Sequence, residues 1–177
     1  MSRSHPISED DATTVPRFRA LGLACALLGF ACASSGPPEK IESGSAVSFE
    51  LFQPDTPPVQ DTDAIPLQAV AENDQQWDRT WVELFGTDSD VPAIDFASWR
   101  VAVVALATQP TGGIVVAVDR VVETPTLIQV QAVETVPGPG CMTIQALTRP
   151  VSFTLLPRSP KPVEFHLERH EETCAVG

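Results

Sequence analysis

Tyrosine is absent from the 177 residues, and lysine and arginine together number only 11 against 23 aspartates and glutamates. The resulting formal net charge of -12 argues against nucleic acid as a partner, because affinity for a phosphate backbone is built on Lys and Arg displacing counterions. Polybasic attachment to a membrane surface is excluded on the same ground. No apolar run approaches the roughly 20 residues that a bilayer core requires of a spanning helix. Catalytic signatures are missing too. There is no GxSxG and no HExxH, and none of the four cysteines stands in a CxxC pair. These gaps remove the standard serine-hydrolase elbow, the zinc-peptidase helix and a paired-cysteine metal motif. Proline, by contrast, is abundant at 17 residues. It breaks helices and is confined to edges and turns in sheets, so many short elements are expected.

The N-terminal part is the most informative. After Arg17 and Arg19 comes an uncharged apolar stretch, Ala20 to Ala31, followed by Cys32 and the small polar run Ala33-Ser34-Ser35-Gly36. The stretch is the length of a signal-peptide hydrophobic region, about 7–15 residues. Small residues ahead of a Cys resemble a lipobox, where cleavage occurs just before a thiol that carries lipid. Residues 1–31 are therefore expected to be a lipoprotein signal peptide and Cys32 the lipidated residue. Cys25 also follows an Ala, but too few apolar residues separate it from Arg19. A buried core helix starting near Ala20 is the alternative that the basic flank and Cys32 weigh against. Each buried methylene of an acyl chain contributes about 0.8 kcal/mol, so a multiply acylated Cys32 would moor the chain to a bilayer. No Asp follows Cys32, the pattern of outer-membrane sorting if the host is diderm. Residues 1–31 hold three basic and three acidic side chains, so their removal leaves the charge at -12.

With Cys25 removed and Cys32 acylated, Cys141 and Cys174 remain, and in an exported protein such a pair is expected to form a disulfide. Residues 32–66 read as the lipidated Cys and a tether rich in Pro and acidic residues, which buries too little apolar area to order itself. One island inside it, Val47 to Leu51, alternates and could add an edge strand. Residues 67–177 read as the folded domain. Asn73 is suited to cap a helix with Gln76 three residues on. Trp77, Trp81, Leu84 and Phe85 follow at helical spacing, and Gly86 stops it. That aromatic stripe is expected to be core rather than a ligand platform.

Strands dominate the rest. Val101 to Ala107 is apolar on both faces, as a strand covered on both sides would be. Ile114 to Val122, Thr126 to Val136, Thr143 to Thr148 and Val151 to Leu156 follow. The last, Val163 to Arg169, alternates with Val163, Phe165 and Leu167 inward. Short turns mean mostly antiparallel pairing. The expected fold is α+β: a small sheet or partly rolled β domain of about six strands with one Trp-bearing helix packed on it.

The order of these pieces carries a resemblance. A Trp-bearing helix precedes Asp95-Phe96 and an apolar strand; then come Gln109-Pro110-Thr111-Gly112-Gly113, a further strand and a Pro-Gly loop. Thr148-Arg149-Pro150 leads into another strand, and Pro162-Val163-Glu164-Phe165 closes the series. This pattern is similar to the PrcB C-terminal domain family, named for a lipoprotein subunit of a bacterial surface protease complex. Ile114 stands where the family commonly has Tyr. The resemblance implies a non-catalytic interaction module, not an enzyme, that assists or stabilises an envelope or secreted partner, in the founding case a protease. Thr111, Gly112 and Gly113 are the candidate interaction residues, although Gly pairs also serve tight turns with no ligand.

Other chemistry is weaker. His166, Glu168 and His170 would share one strand face, but a zinc site needs a further ligand and a second shell, and an exposed edge explains them better. No metal and no cofactor is expected. Paired acids such as Asp88 with Asp90 fall in polar loops without a perturbing pocket. A small-ligand or glycan-binding lipoprotein and a metal-dependent hydrolase are the competing functions, the first requiring a concave pocket.

Overall fold

The computed structural model describes residue 41 and residues 43–174. The expected signal peptide, Cys32 and the start of the tether lie outside the described residues.

Eight strands and one helix make up the described chain. The strands are β1 (Ser45–Ala46), β2 (Glu50–Phe52), β3 (Leu67–Ala71), β4 (Trp99–Ala105), β5 (Val115–Glu123), β6 (Ile128–Pro137), β7 (Val151–Pro157) and β8 (Val163–Glu172); the helix α1 (Asp74–Phe85) lies between β3 and β4. They form two four-stranded sheets, ordered β1-β5-β6-β8 and β2-β7-β4-β3. The fold is β-rich α+β and mostly antiparallel, with two sheets where one was expected.

The apolar character of Val101 to Ala105 on both faces has a direct cause. Ala102 and Val104 face the first sheet, in a core shared with Val116, Val118, Val121, Ile128, Val130 and Ala132. Val101, Val103 and Ala105 face the helix, in a second core with Trp77, Trp81, Leu84 and Phe85. The β2-β7-β4-β3 sheet is thus a middle layer, covered by a sheet on one side and α1 on the other. The aromatic stripe is core: Trp77 and Trp81 are 1% and 2% exposed. Trp81 stacks on Phe85 with ring centroids 4.1 Å apart, and Phe153 of β7 meets both tryptophans. Each indole N–H finds an acceptor, Pro92 O at 2.8 Å and Ser89 Oγ at 3.2 Å.

The helix ends follow the sequence. Asn73 Oδ1 accepts from Gln76 N at 3.0 Å, and Gly86, with φ 80°, donates to Val82 O. Gln76 Oε1 reaches back one residue further than a capping box does, accepting from Glu72 N at 2.7 Å.

Four expectations need correcting. The strand count is eight rather than about six, because β1, β2 and β3 add to it. The rest of the expected loose approach enters the fold as well as the island at Val47 to Leu51, whose end forms edge strand β2: Ser45 pairs with Glu123, Glu50 pairs with Leu155, and Val47, Phe49 and Phe52 pack on the two cores. Thr143 to Thr148 is not a strand; only Thr148 makes an isolated bridge, with Gln109. Finally, β8 runs parallel to β6, reached by crossing through β7 in the other sheet. Val163 and Phe165 pack on the inter-sheet core as expected, whereas Leu167 is 40% exposed. It lies on the edge strand beyond Phe165, the last β8 side chain packed on that core.

Candidate functional site

The Thr111-Gly112-Gly113 turn joins β4 of the middle layer to β5 of the outer sheet. Gly113 sits at φ 89°, where an L side chain is strained, and a Cβ there would come within 3.0 Å of Pro137 Cγ. Gly112 is needed for a different reason. A Cβ on it would stand 2.6 Å from Ile144 Cγ1, so the residue leaves room for the Ile144 side chain. Gly112 N also donates to Ile144 O at 2.9 Å, and Thr148 Oγ1 donates to Thr111 O at 3.0 Å. The motif is therefore a turn, and it is also the seat of a second loop.

That second loop is residues 138–147. Cys141 and Cys174 are joined by a disulfide with Cα atoms 5.1 Å apart, which fastens the loop to the end of β8. Gly138 N donates to Glu172 O at 2.9 Å beside it. Bound at one end by the disulfide and at the other by the Gln109–Thr148 bridge, the loop turns its apolar side chains outward. Met142 is fully exposed, Ile144 69% exposed and Val115, two residues past the turn, 53%. Neither 101–118 nor 135–148 contains a charged residue. On a chain of net charge -12, this turn and loop form an uncharged, partly apolar surface. Charge depletion with exposed Met and aliphatic groups is the composition of an interface core rather than of ordinary surface.

The other candidate residues are not drawn together into a site. His166 is half-buried, its Nε2 3.3 Å from Gln129 Nε2 and 3.6 Å from Glu164 Oε1. No group of three or more His, Cys, Asp or Glu able to hold a metal is present among the described residues. Asp95, which opens the Asp95-Phe96 step, does structural duty. Its carboxylate accepts from Ala97 N at 3.1 Å, and hydrogen bonds led by the Ser98 hydroxyl hold it below the usual carboxylate range. Its folding contribution is therefore present above the ordinary carboxylate pKa and is lost as pH falls through the depressed one.

Sequence reasoning read a Pro-Gly loop at the start of 138–147 but a strand over its second half, and it missed two buried arginines. Arg100 on β4 is 1% exposed, with Glu72 Oε1 3.5 Å and Lys161 O 2.8 Å from Nη1. Arg149, between the turn and β7, is 7% exposed. The only sequence signal for Arg149 is its place in Thr-Arg-Pro.

No curated protein and no solved structure matches the chain. Residues 100–155, from β4 through the Thr-Gly-Gly turn and the disulfide-tied loop to β7, match the family described as PrcB C-terminal, the family that the motif order resembles.

Proposed function

We propose that this chain is an exported lipoprotein, held in the cell envelope by Cys32, whose domain is a non-catalytic protein–protein interaction module. It assists or stabilises a protein partner, and the PrcB C-terminal match favours a protease complex as the setting. The observation that carries this reading is the uncharged surface made by Val115, Met142 and Ile144 over the Thr111-Gly112-Gly113 turn. It falls within the matched segment, and the disulfide pre-orders it, which lowers the entropy cost of docking. The partner that suits it presents an apolar patch without an acidic rim, because the surrounding domain is strongly acidic.

The test is site-specific photocrosslinking in the native cell. A photoreactive residue at Met142 or at Ile144 is expected to capture one dominant envelope protein. The same probe at Asp78, exposed on the helix, is expected to capture none. Equal capture from all three positions, or none from any, would overturn the proposed docking face.

A further inference from the structure

The two buried arginines are served differently. Arg100 has a carboxylate, Glu72, beside it. For Arg149, no carboxylate of a described residue lies within ion-pair distance. Its Nη1 and Nη2 donate only to the backbone oxygens of Glu83 and Ile65, both at a long 3.4 Å. Its Nε is shielded from solvent and has no partner. Glu83 belongs to the last turn of α1, which carries no basic residue of its own, so Arg149 supplies a cation to the negative end of that helix. This accounts for the two carbonyl contacts. It does not account for the remaining donors or for a full buried charge, which folded proteins ordinarily pair.

Arg149 is also the shared wall of two cavities. One, of about 310 Å³, includes Asp61, Asp63 and Glu83 and would repel an anion. The other, of about 380 Å³, is lined by Gln53, Thr56, Val151 and Phe153 along with prolines and a single acid, Asp55. That volume falls at the lower end of the range for small-ligand sites, roughly 300–1,000 Å³. It offers an amide, a hydroxyl and an apolar floor next to a guanidinium that has no carboxylate partner among the described residues.

We propose that the larger cavity is a carboxylate-binding site in which Arg149 supplies the counter-charge. The ligand bears one carboxylate on a compact apolar body: the C-terminal residue of a polypeptide or a free small acid. The guanidinium fork matches a carboxylate in a way that a point charge does not. A multiply charged anion is disfavoured by Asp55 and by the acidic domain. This site is separate from the Met142–Ile144 surface, so either reading can fail without the other.

Calorimetric titration of the full chain in detergent tests it with three probes: acetyl-Ala-Ala-Leu with a free C-terminus, its C-terminal amide, and 4-methylpentanoate. The free acid peptide is expected to bind and the amide to bind about tenfold or more weakly, the loss of a charge-assisted hydrogen bond. If 4-methylpentanoate binds as well as the acid peptide, the carboxylate site stands and its source is a small acid. Weaker binding of 4-methylpentanoate makes the source a polypeptide end. Equal binding of acid and amide, or binding of neither acid, overturns the proposal. Arg149→Gln is expected to abolish binding. Should that variant fail to fold, Thr56→Trp decides, since it fills the cavity from an exposed rim position and leaves Arg149 in place. Unchanged affinity in Thr56→Trp overturns the site. Asp55→Asn removes the competing carboxylate and is expected to tighten binding several-fold, a gain that a purely structural Arg149 would not produce; weaker binding would count against the site.

Discussion

Arg100 shows how a charge can be kept inside a β layer without adding to stability. Burial is the strongest influence on its guanidinium and pushes its pKa down, with Glu72 pulling the other way. Folding therefore disfavours the charged form, and two of its donors, Nε and Nη2, are buried without a partner. Replacing a buried ion pair by apolar volume is often neutral or stabilising. Arg100→Met is accordingly expected to shift urea-unfolding stability by no more than about 1 kcal/mol, in either direction. Arg100→Ala leaves a cavity instead and is expected to cost about 2–5 kcal/mol at unchanged m-value. Gly113 makes the opposite case, for its φ of 89° and the Pro137 ring at 3.0 Å both oppose a side chain. Gly113→Ala is expected to cost about 1 kcal/mol or more, read from the same denaturation curves. Neither arginine could be read as buried from its neighbours in the chain. Arg149 is enclosed by residues near 53–65 and by α1, all far away in sequence, whereas Gly113 declared itself because turn chemistry is local.

The helix was legible end to end, because its cap, its apolar spacing and its stop all lie within Asn73 to Gly86. Asn73→Ala removes the acceptor for Gln76 N and is expected to cost about 1 kcal/mol, measurable as a lowered melting temperature. The short strands were harder to read. β1 and β2 contain two and three residues, and each exists only because a partner more than 70 positions later receives it. Alternation at Val47 to Leu51 suggested an edge strand, but local periodicity cannot name the partner that receives it. Thr143 to Thr148 misled in the other direction: it resembles a strand, but its backbone is engaged by the Thr-Gly-Gly turn and it remains outside both ladders. The disulfide was readable from counting cysteines, given an exported chain. Closing 33 residues is expected to contribute about 3–4 kcal/mol by the loop-entropy argument. The Cys141→Ser, Cys174→Ser double variant should lose stability of that order in urea titrations, and it should also free the loop that carries Met142 and Ile144.

At the scale of the molecule, an acidic three-layer domain contains a segment, β4 to β7, that matches the PrcB C-terminal family model. Among the described residues, no helix is long and apolar enough to cross a membrane. The anchor proposed at Cys32 acts through lipid. Cys32→Ser is expected to move the protein from the membrane fraction to the soluble fraction with the domain's thermal unfolding unchanged; retention in the membrane would rule out the lipid anchor. The class of fold could be read from strand and proline content. The division into two sheets could not, because the alternation that marks a buried face does not say which other sheet buries it. The parallel pairing of β6 with β8 adds a temporal constraint. The ten residues of β8 complete a ladder whose other half, β6, was synthesised more than 20 residues earlier, with a strand of the opposite sheet in between. A chain still being synthesised would hold β6 with one flank unsatisfied until β8 arrived, and loss of β8 would leave a ten-residue adhesive edge open to other chains.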